Sequence, residues 1–180
     1  MIATPELALI ADIGGTNARF ALTDLSAPQP ALLQSRALCN AEFASLQHAA
    51  EHYLEGVGVR PRRAAIAVAS PVAADEIRLT NRAWSFSRSE LQRTLGLDEL
   101  RMLNDFGAVA WAVPALSPED CVALYGPSMA PLRGPVSVLG PGTGFGVALL
   151  VGDAQRGWQP VETEGGHVTL APSGEEEQAI

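Results

Sequence analysis

The stretch Asp12-Ile13-Gly14-Gly15-Thr16-Asn17-Ala18-Arg19 decides the fold, because it joins two apolar runs, 7–11 and 20–22, that are typical of strands. Its two glycines let the chain turn tightly and lie close to a ligand. The Thr and Asn that follow add side chains that form hydrogen bonds. Asp12, at the end of the first strand, could hold a metal ion or its water. The stretch therefore predicts a phosphate-binding hairpin or an ordinary turn, since Gly and Asn are also the usual turn residues.

The composition indicates a globular protein with an acidic surface. The chain has 180 residues, of which 47% are hydrophobic and 18% are charged, so it can bury a sizeable core and is not disordered. Its formal net charge of -8 repels polyphosphate backbones and anionic lipid. We therefore expect neither nucleic acid nor membrane as a partner. A small anion stays compatible with this charge, because backbone N–H groups and a bound cation act locally.

The cysteines and the apolar runs predict a cytoplasmic protein. Cys39 and Cys121 are far apart and lack the CxxC spacing, which argues against a zinc site and against a disulfide framework. The N-terminus has no basic stretch of the kind that opens a signal peptide. No apolar window reaches the roughly 18 residues of a membrane-spanning helix.

Hydrophobic periodicity predicts an α/β fold with antiparallel hairpins mixed into the sheet. Beyond the opening hairpin we expect strands within 31–38 and over 64–69, 77–79, 100–103, 122–124, 136–139, 147–151 and 168–170, and helices over 43–55, after Ser87 and over 106–113. Gly56 is expected to end the first helix, and capping boxes at Ser87 and Ser173 to begin two others. A strand, not a helix, follows each glycine-rich loop, which argues against a dinucleotide-binding Rossmann unit. The Pro- and Ser-rich segment 115–135 is the expected domain junction.

A second glycine-rich loop, Gly140-Pro141-Gly142-Thr143-Gly144-Phe145-Gly146, repeats the layout of the first hairpin. It lies between two apolar strands and would expose backbone N–H groups to phosphate oxygens. Taken alone, the loop could equally be a glycine-rich hairpin bulge. Two such hairpins favour phosphate binding, because together they could hold a polyphosphate from both sides.

Two further segments carry groups that can act on an alcohol. Asn104 and Asp105 stand where a strand ends and a helix begins, so Asp105 could accept a proton from a hydroxyl while Asn104 binds a neighbouring one. Both are also good N-cap residues. The segment 162–167 places a carboxylate and an imidazole around two glycines, and it could bind adjacent hydroxyls of a polyol or form a surface turn. A weaker cluster, interpreted mainly as core and turn, consists of Asn81, Trp84 and Phe86.

Taken together, these segments resemble the bacterial glucokinase family, the ATP-dependent hexose kinases of the actin/hexokinase-like fold. The matching segments occur in the family's order and span nearly the whole chain: 12–19, Thr80-Asn81-Arg82-Ala83-Trp84, Asn104-Asp105-Phe106, Gly140-Pro141-Gly142-Thr143-Gly144 and Glu164-Gly165-Gly166-His167. The resemblance implies an α/β, ribonuclease H-like mixed sheet, with a small lobe over 1–114 and the beginning of a larger lobe over 115–180. No Cys follows Cys121, which favours the glucokinase branch over the related repressor and sugar-kinase group with its cysteine-rich zinc motif.

The resemblance also implies an activity and a role for each segment. The activity is transfer of the γ-phosphoryl group of ATP to the 6-hydroxyl of glucose, with Asp105 as the catalytic base. The residues that would bind the sugar are Asn104, Glu164, His167 and Asn81. The residues that would face the phosphates and Mg²⁺ are Asp12 (a magnesium ligand through a bound water), Gly14, Gly15, Thr16 and Asn17 on one side, and Gly142, Thr143 and Gly144 on the other.

The length of the chain departs from the family. Its members are nearly twice as long, so we expect an N-terminal portion that lacks another sugar-binding Glu, the adenine-binding loop and most of the second lobe. Two alternatives to the glucokinase reading follow, a catalytically incomplete sugar-binding or regulatory module and a kinase for another hexose. The resemblance also leaves a homodimer open.

Overall fold

The computed structural model describes residues 5–79, 84–126, 132, 134–141, 145–163 and 165–168. The chain forms two compact units, Met1–Asp105 and Phe106–Ile180. The lobe boundary predicted after residue 114 stays a prediction. The two compact units divide between Asp105 and Phe106, which is nearer the N-terminus than that boundary. Most of the strand predicted over 168–170 and the helix predicted from Ser173 lie outside the described residues.

The first unit contains a five-stranded mixed sheet with the strand order β3-β2-β1-β4-β7. One antiparallel half consists of β1 (Leu7–Ile13), β2 (Asn17–Asp24) and β3 (Leu33–Cys39). On the other side, β4 (Arg63–Val68) and β7 (Glu99–Asn104) run parallel to β1. The predicted α/β fold with an antiparallel hairpin inside the sheet is confirmed.

The three parallel strands end level with one another. Ile13 pairs with Val68, and Val68 pairs with Asn104. Neighbouring strands lie about 4.8 Å apart, so the last residues of β1 and β7 are separated by roughly two strand spacings. The opening hairpin and the Asn104-Asp105 pair therefore share one edge of the sheet.

Helix α1 (Leu46–Val57) covers this sheet. It begins where the Ser45 hydroxyl accepts the His48 N–H at 3.3 Å, an ordinary N-cap. It ends at Gly58, which has the left-handed φ of 68° that glycine adopts without strain. The prediction that Gly56 ends the helix is wrong, because the positive φ falls two residues later. On the buried face, the rings of Phe20 and Tyr53 stack with centroids 5.4 Å apart.

A short hairpin and a second helix complete the first unit. Strand β5 (Glu76–Arg78) pairs with β6 (Ser85–Ser87), and α2 (Arg88–Thr94) follows directly. The Ser87 hydroxyl accepts the Glu90 N–H at 3.1 Å, so the predicted N-cap is confirmed. Trp84 lies in the hydrophobic core of this unit, and so does Phe86 of β6, which agrees with their interpretation as core residues.

The second unit contains a three-stranded antiparallel sheet in the order β10-β9-β8. Its strands are β8 (Val136–Pro141), β9 (Phe145–Asp153) and β10 (Gly157–Glu162), and α3 (Asp105–Ala112) leads into this unit. Packing joins α3 to the sheet through a small core that comprises Ala110, Val138, Ala148 and Leu150. No helix in the described part of the chain is long and apolar enough to cross a membrane.

Two strand predictions in this unit differ from the structure. The strand predicted over 122–124 is wrong, because this segment is irregular and Val122 and Leu124 are 83% and 94% exposed. An apolar triplet forms a strand only where it can pair with a neighbouring strand. Conversely, β10 was not predicted, since it is polar and contains Pro160. An edge strand tolerates a proline, because one side of its backbone needs no ladder partner.

Candidate functional site

The hairpin between β1 and β2 is an open turn held by a residue from outside it. The Gly14 N–H donates to the Asn17 carbonyl at 3.0 Å. Asn40, which follows β3 and is fully buried, donates from Nδ2 to the Gly14 carbonyl at 2.8 Å and from its N–H to the Thr16 carbonyl at 2.9 Å. No local sequence pattern points to Asn40, because only the pairing of β3 with β2 brings it to the turn.

The backbone of this turn does not require a glycine at position 14. Neither Gly14 nor Gly15 has a positive φ. A Cβ added at Gly14 would meet nothing closer than the Asn17 carbonyl oxygen, at 3.5 Å, which is an ordinary contact. Since the chain itself would accept a side chain at this position, room for a ligand is the better explanation of the glycine.

Asp12 and Arg19 form an ion pair directly across the hairpin. The two residues are paired in the β1–β2 register, and Arg19 Nη1 lies 3.0 Å from Asp12 Oδ2. Both side chains are more than half exposed, so the Asp12 carboxylate is accessible. Among the described residues no group of three or more His, Cys, Asp or Glu side chains is placed to hold a metal. A single accessible carboxylate still fits Mg²⁺, which commonly takes one or two carboxylates and completes its shell with water and phosphate oxygens.

Asn104 and Asp105 lie at the same sheet edge as the hairpin. Asn104 ends β7 and Asp105 is the first residue of α3, and both are partly buried. The level strand ends place this pair roughly 10 Å from the end of β1, two strand spacings away. That separation leaves room for a substrate hydroxyl and a phosphoryl group. The N-cap alternative stays open, because Asn104 stands immediately before the helix.

The segment after β4 is fastened at this edge by polar contacts. The buried Ser70 hydroxyl donates to the Arg78 carbonyl at 2.7 Å. Arg88 donates from Nη2 to the carbonyls of Val72 and Ala74 at 2.8 and 2.9 Å. These contacts hold the segment that follows β4, the middle one of the three parallel strands. No local sequence pattern predicts these contacts, because the partners are distant in the chain.

Asp75 fastens the same segment to the start of α2. The Ser87 hydroxyl donates to its Oδ2 at 2.6 Å, and the Ser89 N–H donates to its Oδ1 at 3.0 Å. These hydrogen bonds hold the pKa of Asp75 below its ordinary value of 3.8. The segment is therefore secured best when Asp75 is ionised.

In the second unit, two glycines of the second loop make room for an aromatic ring. Gly140 and Gly146 are opposite each other in the β8–β9 register. A Cβ added at Gly140 would lie 2.6 Å from Cζ of Phe106, and one added at Gly146 would overlap the same ring. Packing of Phe106 thus explains these two glycines. The three residues predicted to bind phosphate lie outside the described residues: Gly142, Thr143 and Gly144.

The segment after β10 is described only in part. A Cβ added at Gly107 would lie 2.7 Å from Glu162 Oε1, so Glu162 lies against the first turn of α3. The Thr163 hydroxyl donates to the Val147 carbonyl at 3.2 Å and accepts the Gly165 N–H at 3.1 Å. The predicted sugar-binding groups that lie outside the described residues are Asn81, Glu164 and the side chain of His167.

Comparison with known proteins gives one family. The family model described as Glucokinase matches residues 9–180. A glucokinase of Stenotrophomonas maltophilia (strain K279a) is 47% identical over 185 residues, and this match covers 100% of the present chain and 55% of the relative. A glucokinase of Xanthomonas campestris pv. campestris (strain B100) is 45% identical over 182 residues, covering 98% and 54%. The chain thus spans about half the length of the curated relatives it matches.

Solved structures agree with this match. The crystal structure of a glucokinase from an Antarctic psychrotroph has a TM-score of 0.83 at 39% identity, covering 97% of the present chain and 55% of that chain. A glucokinase of Balamuthia mandrillaris in complex with glucose has a TM-score of 0.74 at 25% identity, covering 97% and 52%. A glucokinase of the ROK family from Streptomyces griseus has a TM-score of 0.61 at 18% identity, covering 94% and 52%, and supports the fold alone.

Proposed function

Because the chain belongs to the glucokinase family, we propose that the protein transfers the γ-phosphoryl group of ATP to the 6-hydroxyl of glucose, giving glucose 6-phosphate and ADP. One observation carries the proposal. The open glycine hairpin and the Asn104-Asp105 pair lie level with each other at the carboxyl ends of the parallel strands of the mixed sheet. That arrangement offers N–H groups for phosphates and a carboxylate for an alcohol within one site.

The hairpin is proposed to bind the phosphates of ATP. The turn 14–17 is accessible, and its backbone N–H groups would donate to phosphate oxygens without side chains blocking their approach. Asp12 would hold Mg²⁺ through a bound water. When bound, the ion neutralises charge that develops on the phosphoryl oxygens. The resemblance also assigns phosphate contacts to Gly142, Thr143 and Gly144.

Asp105 is proposed to accept the proton of the attacking hydroxyl. In phosphoryl transfer the base mainly orients the nucleophile and takes its proton late, so a carboxylate of ordinary acidity is sufficient. Asn104 would hold a neighbouring hydroxyl of the sugar. The remaining sugar contacts are assigned by resemblance to Asn81, Glu164 and His167.

The relatives support glucose as the substrate. They carry the name glucokinase, and the structure of the Balamuthia mandrillaris enzyme contains glucose. We propose that the present protein acts in the cytoplasm, and that any assembly is a homodimer.

The test is a coupled assay of ADP release from ATP and Mg²⁺ with and without glucose. The proposal predicts ADP only when glucose is present. If glucose raises the melting temperature but no ADP forms, the protein is a sugar-binding or regulatory module instead. If mannose or an amino sugar gives a higher kcat/KM than glucose in the same assay, the protein is a kinase for another hexose.

A further inference from the structure

We propose that Asn40 is the positioning residue of the phosphate-binding hairpin, holding two of its peptide groups so that their N–H bonds are presented to the ligand. The inference rests on the proposed function, since it takes the hairpin to be the phosphate site. Asn40 itself is fully buried and therefore acts through the turn, without touching the nucleotide.

Asn40 replaces the hydrogen bond that would otherwise close the turn. In a closed four-residue turn the first carbonyl accepts the N–H of the fourth residue. Here the Gly14 carbonyl accepts Asn40 Nδ2 at 2.8 Å instead, and the structure records no bond from the Asn17 N–H to that carbonyl. Because Asn40 Nδ2 occupies the Gly14 carbonyl, the Asn17 N–H stays available for a ligand.

The two bonds from Asn40 also set the direction of the turn's N–H groups. A trans peptide is planar, and its C=O and N–H point in opposite directions. The Asn40 side chain donates to the Gly14 carbonyl, which shares a peptide group with the Gly15 N–H. The Asn40 backbone N–H donates to the Thr16 carbonyl, which shares a peptide group with the Asn17 N–H. Both N–H bonds therefore point away from the Asn40 atoms that bind their peptide groups.

The cost of burying this amide argues for a role beyond packing. Asn40 Oδ1 is buried without a hydrogen-bond partner among the described residues, and an unsatisfied buried carbonyl lowers stability. An apolar side chain of similar size would avoid that loss. Asn at this position is therefore explained by the turn it holds.

The experiment follows backbone amides of the chain by ¹⁵N NMR while ADP with Mg²⁺ is added, and measures the affinity for ADP and for glucose by calorimetry. In the wild type, the amide signals of Gly15 and Asn17 should shift. In Asn40→Asp, which keeps the shape but loses the donor, and in Asn40→Ala, these shifts should be smaller at matched saturation with ADP, because the Gly14 carbonyl loses its side-chain donor while the backbone bond from residue 40 to the Thr16 carbonyl remains. The Kd for ADP should rise roughly tenfold, equivalent to the loss of about one hydrogen bond, while the Kd for glucose stays within twofold.

Tyr53→Phe is the matched control. It removes another side-chain hydrogen bond to β3, from the Tyr53 hydroxyl to the Gln34 carbonyl at 3.1 Å. Gln34 lies near the other end of β3, away from the turn. It should lower the melting temperature and leave the Kd for ADP unchanged. Equal losses of ADP affinity in Tyr53→Phe and the Asn40 variants would show a general stability effect and overturn the inference.

The remaining outcomes separate this inference from the proposed function. If wild-type Gly15 and Asn17 do not shift with ADP, the hairpin is not the phosphate site and both fail. If they shift equally in the wild type and the Asn40 variants, only the positioning role fails. Should both variants fail to fold, the wild-type Asn40 side-chain amide decides. Its signals must move together with that of Gly15, because Asn40 Nδ2 donates to the peptide group that contains the Gly15 N–H, and a static Asn40 signal overturns the inference.

Discussion

Substituting Gly146 by Ala should disrupt the packing of Phe106 in the second unit. The new Cβ would overlap the Phe106 ring, so the ring must leave its place over Gly140 and Gly146. Overpacking of this kind costs about 1–3 kcal/mol. Complete truncation of a buried Phe costs about 3–5 kcal/mol, and Phe106 is only partly buried against the small core. We therefore expect a loss of about 2 kcal/mol.

Amide hydrogen exchange in β8 and β9 measures this loss where it occurs. A loss of about 2 kcal/mol lowers protection roughly 30-fold. Ser137→Ala, an exposed change in the same hairpin, is the control and should leave protection unchanged. In a Phe106→Ala background the Gly146→Ala change should cost almost nothing, which gives a coupling energy of about 2 kcal/mol. Wild-type protection in Gly146→Ala, or a full loss that persists without the Phe106 ring, would refute the packing account.

Three further outcomes are expected. Gly14→Ala should keep or slightly raise the free energy of unfolding in urea, by up to about 1 kcal/mol, yet weaken ADP binding measured by calorimetry. An unchanged affinity for ADP would contradict the explanation that this glycine makes room for a ligand. Gly58→Ala should lower the free energy of unfolding by about 1 kcal/mol, because its φ is 68°, and a neutral effect would contradict the left-handed helix end. The pKa of Asp75 is lower in the folded chain than its ordinary value of 3.8, so its contribution to stability is present above that value and lost as the pH falls through the folded pKa. Asp75→Asn should therefore reduce the drop in melting temperature between about pH 5 and pH 3, and an unchanged drop would count against this role.

Local patterns were sufficient for the elements that define the sheet. The apolar run 7–11 and the small-residue run 64–69 correspond to β1 and β4, and Ser87 caps α2 as expected. These signals are local, since they depend on side-chain alternation and on one capping hydroxyl. The resemblance to one family then predicted the mixed α/β sheet, whereas the order of its strands is known only from the structure.

The features that local patterns missed depend on contacts between distant residues. In the sequence, Asn40 and Asp75 look like ordinary loop residues. The role of Asn40 depends on the pairing of β3 with β2, and that of Asp75 on the contact between its segment and the start of α2. Similarly, Gly140 and Gly146 suggested an open phosphate loop, whereas the structure shows that both accommodate Phe106. Composition alone does not distinguish a glycine that admits a ligand from one that admits a neighbouring ring.

The most direct test of the proposed site is the kcat of Asp105→Asn at saturating glucose and ATP with Mg²⁺, together with its Kd for glucose. We expect kcat to fall at least about 100-fold, since a general base contributes roughly 10²–10⁴ to the rate. The Kd for glucose should stay close to that of the wild type. An Asp105→Asn protein that phosphorylates glucose at the wild-type rate would contradict the assignment of Asp105, and with it the proposed site at this edge of the sheet.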